Sequence, residues 1–383
     1  MRKAARACWS ARRPTGRASG ARPSTWQGSA SDIITNGPSM SLIGILAAVF
    51  GLALLMIVHE TGHHLVARAF RMRVLRFSIG FGPAIWRHQP RGSDTVYQVA
   101  LIPFLAYVQI AGMNPFEDAD PEDEGSYANA TLTARILTVI AGPMANYLFA
   151  SVLFFGALMI GGQHVPTTIV ELIEGGAAAQ GHMQNGDEIV RIGDARITTF
   201  EQMRQIILTS PGQKLDVEVM REGKPVVLQI TPEAKGENGG GLIGVAPAST
   251  KRVPVEVGEA VAISVARPAE VVYRLVVGLG RIVTGKEKAS LTGPVGISKE
   301  IGKAAHRGLD DYLYILAMLS AYLGGFNLLP IPALDGGRLM FLVYEGVARR
   351  KPNARIEAHI HAIGLLMFLA LMVVVSVFDI RGE

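Results

Sequence analysis

His59-Glu60-Thr61-Gly62-His63 sets two imidazoles four residues apart with a carboxylate beside the first. On a helix, residues four apart share a face, so His59 and His63 can grip one zinc ion while Glu60, on the adjoining turn, serves as a base toward water. The motif closes an uncharged run from Met40 to Val58, long enough to belong to a membrane span. Five residues alone also match by chance, and a helix-end histidine often only meets headgroups. The setting favours zinc chemistry inside a bilayer, because ionisable groups in membrane segments are costly and turn toward a bundle interior where they find partners. His64 points off the shared face and is expected to support the structure rather than bind metal.

A catalytic zinc commonly takes three protein ligands, so one more must come from another element. Cys8 is the only cysteine, which leaves no intrachain disulfide and no thiolate-built site. Asp335 is the best candidate. It ends an uncharged run starting at Tyr312, inside Phe326-Asn327-Leu328-Leu329-Pro330-Ile331-Pro332-Ala333-Leu334-Asp335-Gly336-Gly337. The two prolines interrupt a helix there and free backbone groups that membrane burial tolerates only where they line a cavity or pack on protein.

The elements that must position these residues follow from composition. With 383 residues and 49% hydrophobic content, the chain is too apolar for an ordinary soluble protein and too mixed to lie wholly in a membrane. Four segments read as spans: Ser41 to Leu65, Ile136 to Gly162, Tyr312 to Leu334 and Ala362 to Phe378. The net charge of +5 does not point to nucleic acid, because the basic residues cluster beside spans. Arg68, Arg71, Arg73, Arg76, Arg87 and Arg91 follow the first span; Arg338, Arg349, Arg350, Lys351 and Arg355 lie between the third and fourth. Both loops are expected in the cytoplasm, which places the segment from about Gly162 to Asp311 on the opposite side. The basic leader, residues 1–39, conflicts with export; a presequence is one reading, and an over-extended start with Met40 as the initiator is the preferred one.

Thr95 to Ile102 and Ala106 to Ile110 are β-rich runs separated by Pro103-Phe104-Leu105; they read as a membrane-associated hairpin whose edge could hold an extended peptide. Glu117, Asp118, Asp120, Glu122, Asp123 and Glu124 read as a solvated loop. From Pro166 to Ala248 the composition is that of a small α/β domain, with strands at Thr168–Ile173, Glu188–Ile192, Lys214–Arg221 and Pro225–Thr231 and a helix at Thr199–Leu208. Its turns, Gly175-Gly176-Ala177-Ala178-Ala179-Gln180-Gly181 and Asn185-Gly186-Asp187-Glu188-Ile189, resemble those of bacterial PDZ domains, which would bind peptides by strand addition; a mere spacer is the competing reading. Residues 258–284 carry Glu259, Arg267, Glu270, Arg274 and Arg281 at near-helical spacing and are expected to form an amphipathic helix flat on the membrane surface.

His59-Glu60-x-x-His63 together with Asn327-Leu328-Leu329-Pro330-Ile331-Pro332-x-Leu334-Asp335-Gly336 resembles the site-2 protease family of intramembrane zinc metalloproteases. The likeness extends from about Met40 to the C-terminus. Gly142-Pro143-x-x-Asn146, the segment Leu291-Thr292-Gly293-Pro294-Val295-Gly296-Ile297 and the inserted domain are similar to the bacterial branch that includes the regulator of sigma-E protease. The chain departs from it in having Leu105-Ala106-Tyr107 where Gly-Gly-Tyr is usual, and one PDZ-like domain where some relatives carry two.

The resemblance implies a polytopic α-helical membrane protein of about four spans, its protease core split into residues 40–162 and 285–383 around the domain at 166–248. It implies His59, His63 and Asp335 as Zn2+ ligands, Glu60 as general base, and Asn146 and Asn327 as residues that help hold substrate. For the two asparagines, interhelical hydrogen bonding is an equal alternative. Expected substrates are transmembrane segments of single-span proteins in the bacterial inner membrane, as in release of an anti-sigma factor or clearance of signal-peptide remnants. A catalytically idle scaffold recruiting partners through the PDZ-like domain is the alternative, and an intact Glu60 counts against it. A zinc transporter fits four spans and one buried site poorly.

Overall fold

The computed structural model describes residues 41–114, 122–173, 175–235, 239–285 and 293–381; of residues 103–105 and 380 it describes the backbone alone. The expected leader lies outside these residues, as do Glu117, Asp118 and Asp120 of the acidic loop and Leu291-Thr292. Three helices among the described residues are long and apolar enough to cross a membrane: Leu42–Ala69, Leu132–Gly161 and Ala354–Asp379. The first, α1 (Leu42–Ala69), starts where the Ser41 hydroxyl accepts the Gly44 N–H at 3.0 Å. The second, α2 (Leu132–Gly161), is capped in the same way by Thr131 and stops at Gly162, whose φ of +73° a helix cannot continue.

The helical part is apolar outside and polar at selected points inside. Leu42, Leu46 and Phe50 on α1 and Leu148, Val152 and Ile160 on α2 are exposed, whereas His59, His63, Thr138, Asn146 and Ser320 are buried. Such a surface suits lipid, and the buried polar groups belong to a shared interior.

Strands β1 (Val74–His88) and β2 (Val96–Ile110) follow α1 and pair with each other. This corrects the expected hairpin. The run from 96 to 110 is one strand, the turn lies between His88 and Val96, and the partner is the preceding segment. The two β-rich runs flank β1 instead of facing each other: Phe77 and Ser78 meet Val108 and Tyr107 on one side and Tyr97 and Gln98 on the other. Gly80, Gly82 and Pro83 disguise β1 in the sequence as a loop. They make its bend: Gly80 has a φ of +91°, and a side chain there would meet the Ile102 carbonyl at 2.7 Å. Ala67, Met72, Val74, Ile110, Tyr127, Val139 and Leu342 form a core that fixes the strands to the helices.

Beyond α2 the chain leaves through β3 (Gln163–Pro166) and later returns through β10 (Thr250–Val253), which pair with each other. Between them stand β4 (Val170–Leu172), α3 (Ala177–Gln180), β5 (Glu188–Ile192), β6 (Ala195–Arg196), α4 (Phe200–Leu208), β7 (Leu215–Arg221), β8 (Lys224–Ile230) and β9 (Val245–Pro247). The main sheet runs β6-β5-β7-β8, and β4 pairs with β9. Ile189, Met203, Val217, Val219 and Ile230 anchor a core belonging to this unit. Asp187, at the turn into β5, is buried and ion-paired with Arg221 at the end of β7, 2.7 Å away. Burial opposes its ionisation, but the Arg221 guanidinium and the Gln184 N–H outweigh that and hold the carboxyl below its usual range.

Helix α5 (Val257–Val283) lies within a residue of the expected amphipathic segment and buries Ala260, Ser264, Pro268 and Val271. Helices α6 (Pro294–Arg307), α7 (Leu309–Asn327), α8 (Asp335–Ala348) and α9 (Ala354–Arg381) complete the chain. The uncharged run from Tyr312 is helical only as far as Asn327; with prolines at 330 and 332, residues 328–334 form turns instead. Helix α2 sits at the centre, packed against α1, α5, α7 and α8.

Candidate active site and metal centre

Three side chains from two helices converge on one point. His59 and His63 come from adjacent turns of α1, and Asp335 is the first residue of α8. The Nε2 atoms of His59 and His63 are 3.2 Å apart, and Asp335 Oδ2 lies 3.1 Å from the first and 3.3 Å from the second. Four-coordinate zinc with bonds of about 2.0–2.1 Å separates its ligand atoms by roughly 3.3 Å at tetrahedral angles. The three donors therefore have the spacing such an ion requires, and together they could hold one. Asp335 Oδ2 is buried, and neither ring nitrogen reaches it with hydrogen-bond geometry, so the oxygen lacks the partner that a cation would supply.

The surroundings set the direction of each ring. His63 Nδ1 donates to the Thr138 carbonyl of α2 at 2.8 Å, which leaves Nε2 with its lone pair toward the centre. His59 Nδ1 lies 3.3 Å from the side-chain amide of Asn146, also on α2. Close approach of α1 and α2 is possible because Gly62 and Gly142 lack side chains. A Cβ on Gly62 would stand 2.3 Å from the Ala141 carbonyl, and one on Gly142 would stand 2.2 Å from His63 Nε2.

Glu60 faces the strands. Its Oε2 accepts the Val108 N–H at 2.9 Å, so one β2 backbone donor is turned away from the ladder and toward the glutamate. His64, as expected, is buried away from the cluster; its Nε2 is 3.2 Å from the Tyr97 hydroxyl, and its ring packs edge-on against Phe77 and Tyr97. Asn146 is fully buried, whereas Asn327, the last residue of α7, is half-buried at the start of the turn leading to Asp335. In that turn Ala333 takes a φ of +75°, and its N–H donates to His361 Nδ1 of α9 at 3.0 Å. The Val108, Thr138 and His361 contacts escape sequence reasoning, since nothing local to those residues announces them.

A second group, His164, Asp310 and Asp311, also brings metal-binding atom types together. Arg252 reaches Asp310 at 2.8 Å and Arg307 reaches Asp311 at 2.7 Å, so its charge is already balanced by arginine and it ties β3 and β10 to α7.

Comparison with known proteins agrees with this geometry. The model of Peptidase family M50 matches residues 47–371. Zinc metalloprotease RasP of Geobacillus kaustophilus is 29% identical, over 89% of this chain and 98% of its own length. Protease RseP of Yersinia pestis is also 29% identical, over 87% of this chain and 97% of its own. Since the family match takes in every helix that contributes to the buried cluster, the chain belongs to Peptidase family M50, the site-2 proteases, and is a membrane zinc metalloprotease.

Proposed function

We propose that this protease cuts transmembrane segments of single-span membrane proteins within the bilayer, with His59, His63 and Asp335 as its zinc ligands and Glu60 as general base. The observation that carries the reading is the meeting of three ligand-type atoms at 3.1–3.3 Å beside a glutamate that is bonded to a strand. Bound zinc supplies Lewis acidity to the scissile carbonyl and to water. Glu60 takes the proton of the attacking water and returns it to the leaving amine nitrogen. The Val108 N–H holds the carboxylate in place.

A helical substrate hides its peptide bonds and must unwind before it is cut. The segment Ala106–Ile110, whose Val108 N–H reaches Glu60, is the proposed edge for the extended chain, with Asn146 and Asn327 helping to hold it. Residues 166–248 are proposed to be a PDZ-like domain that selects which substrates arrive; their separate core and four-stranded sheet support this. Helix α7 is proposed as the fourth span, in a bacterial inner membrane, with residues 40–162 and 285–383 as the two halves of the protease core and 258–284 as its interfacial helix. Release of an anti-sigma factor or clearance of signal-peptide remnants would suit such an enzyme.

The assignment of ligands is tested by metal analysis of purified variants in detergent. His59→Ala, His63→Ala and Asp335→Ala should each lose zinc; full occupancy in Asp335→Ala would remove that residue from the site. Orientation is tested separately. A reporter fused near Gly212 should report the non-cytoplasmic side and one near Lys351 the cytoplasm, as the arginine-rich loops require, and the reverse pattern would overturn the proposed topology.

A further inference from the structure

We propose that Asn146 is a positioning residue for the metal centre, accepting the Nδ1 proton of His59 through its side-chain oxygen so that Nε2 presents a lone pair to zinc. This rests on the reading of His59 as a ligand. The two histidines pose one chemical problem: a neutral imidazole that binds metal through Nε2 carries its proton on Nδ1, and that proton needs an acceptor. For His63 the acceptor is the Thr138 carbonyl, 2.8 Å away, an atom that can only accept. For His59 the group at Nδ1 is the Asn146 amide, at 3.3 Å.

Asn146 is built into the interior rather than laid against it. Its exposure is 0%, and its backbone carbonyl accepts the Ser320 hydroxyl of α7 at 2.8 Å, which fixes this turn of α2 between α1 and α7. The amide stands with Nδ2 toward His59 and Oδ1 buried without a hydrogen-bond partner. Turning it by 180° about its last bond exchanges two atoms of nearly equal size and brings Oδ1 to Nδ1–H. The orphaned acceptor then has its donor, and His59 takes the tautomer its role requires. Hydrogen bonds of this kind to ligating histidines are worth about ten- to a hundred-fold in metal affinity.

The experiment is chelator competition for zinc on the purified full-length protein in detergent, with the absorption spectrum of the cobalt-substituted form as a second readout. Asn146→Leu keeps the volume and removes the acceptor; it should bind zinc about ten- to a hundred-fold more weakly and shift the cobalt bands. Asn146→Asp keeps an oxygen in the same place and should stay within about threefold of the parent, on the scale where tenfold is the smallest loss expected. Parental affinity in Asn146→Leu, or an equal loss in a folded Asn146→Asp, would reduce the contact to helix packing and overturn the proposal. His59→Ala run alongside separates the two levels. Zinc lost there but kept in Asn146→Leu sinks this inference alone, whereas zinc kept in His59→Ala sinks the ligand assignment on which it rests.

Discussion

Glu60→Gln should keep zinc and lose peptide-bond hydrolysis by at least about 10²- to 10⁴-fold, the range that a positioned general base contributes. Glutamine has the shape of glutamate, and its side-chain oxygen can still accept the Val108 N–H that now meets Oε2 at 2.9 Å. The strand and α1 therefore keep their contact. What is lost is the capacity to take a proton from water. Glu60 is absent from the group of three that could hold a metal ion, so metal content should match the parent. The measurement pairs zinc analysis with cleavage of a transmembrane peptide in detergent. Cleavage within about threefold of the parent would remove Glu60 from the chemistry, because no general base contributes so little.

Gly142→Ala should abolish zinc binding although residue 142 carries no ligand atom. The added methyl would lie 2.2 Å from His63 Nε2 and 2.6 Å from Cε1, so the ring has to leave. In leaving it gives up the hydrogen bond to the Thr138 carbonyl and its place 3.3 Å from Asp335. Affinity should fall by at least about 100-fold, beyond the loss of one supporting hydrogen bond, and the overpacked α1–α2 contact should cost about 1–3 kcal/mol of stability. Gly156→Ala is the matched control on the same helix. Its methyl would meet only Leu313 Cδ1, at an ordinary 3.4 Å, and zinc binding and stability should hold. Parental zinc affinity in Gly142→Ala would mean that His63 does not need its observed position.

These two variants differ in how they could have been found. Glu60 stands inside a motif whose spacing already states its geometry, since residues 59 and 63 share a helix face through hydrogen bonds that close within four residues. The same locality made α1 and α2 readable, along with the amphipathic α5 and the strands β5, β7 and β8, whose ends agree within about a residue with those expected from alternation and turns. Asp335 was readable too, because an acid at the end of an uncharged, proline-broken run is costly without a partner.

Gly142 gives no such signal. A glycine in an apolar helix is ordinary, and its importance comes from a ring on another helix 79 residues earlier in the chain. Strand β1 is hidden in the sequence for a related reason: strand hydrogen bonds are made to distant residues, and Gly80, Gly82 and Pro83 look like a break, although β2 lies on both flanks. Residue types and short-range periodicity thus determined the zinc chemistry, the three helices long and apolar enough to cross a membrane and the strands of the α/β insertion, because helices and turns satisfy their backbone groups locally. Only the tertiary structure decided which neighbours hold the reactive groups: Thr138 at His63, Asn146 at His59, Val108 at Glu60 and His361 at the turn before Asp335. Those partners lie far away in sequence, and packing alone brings donor to acceptor.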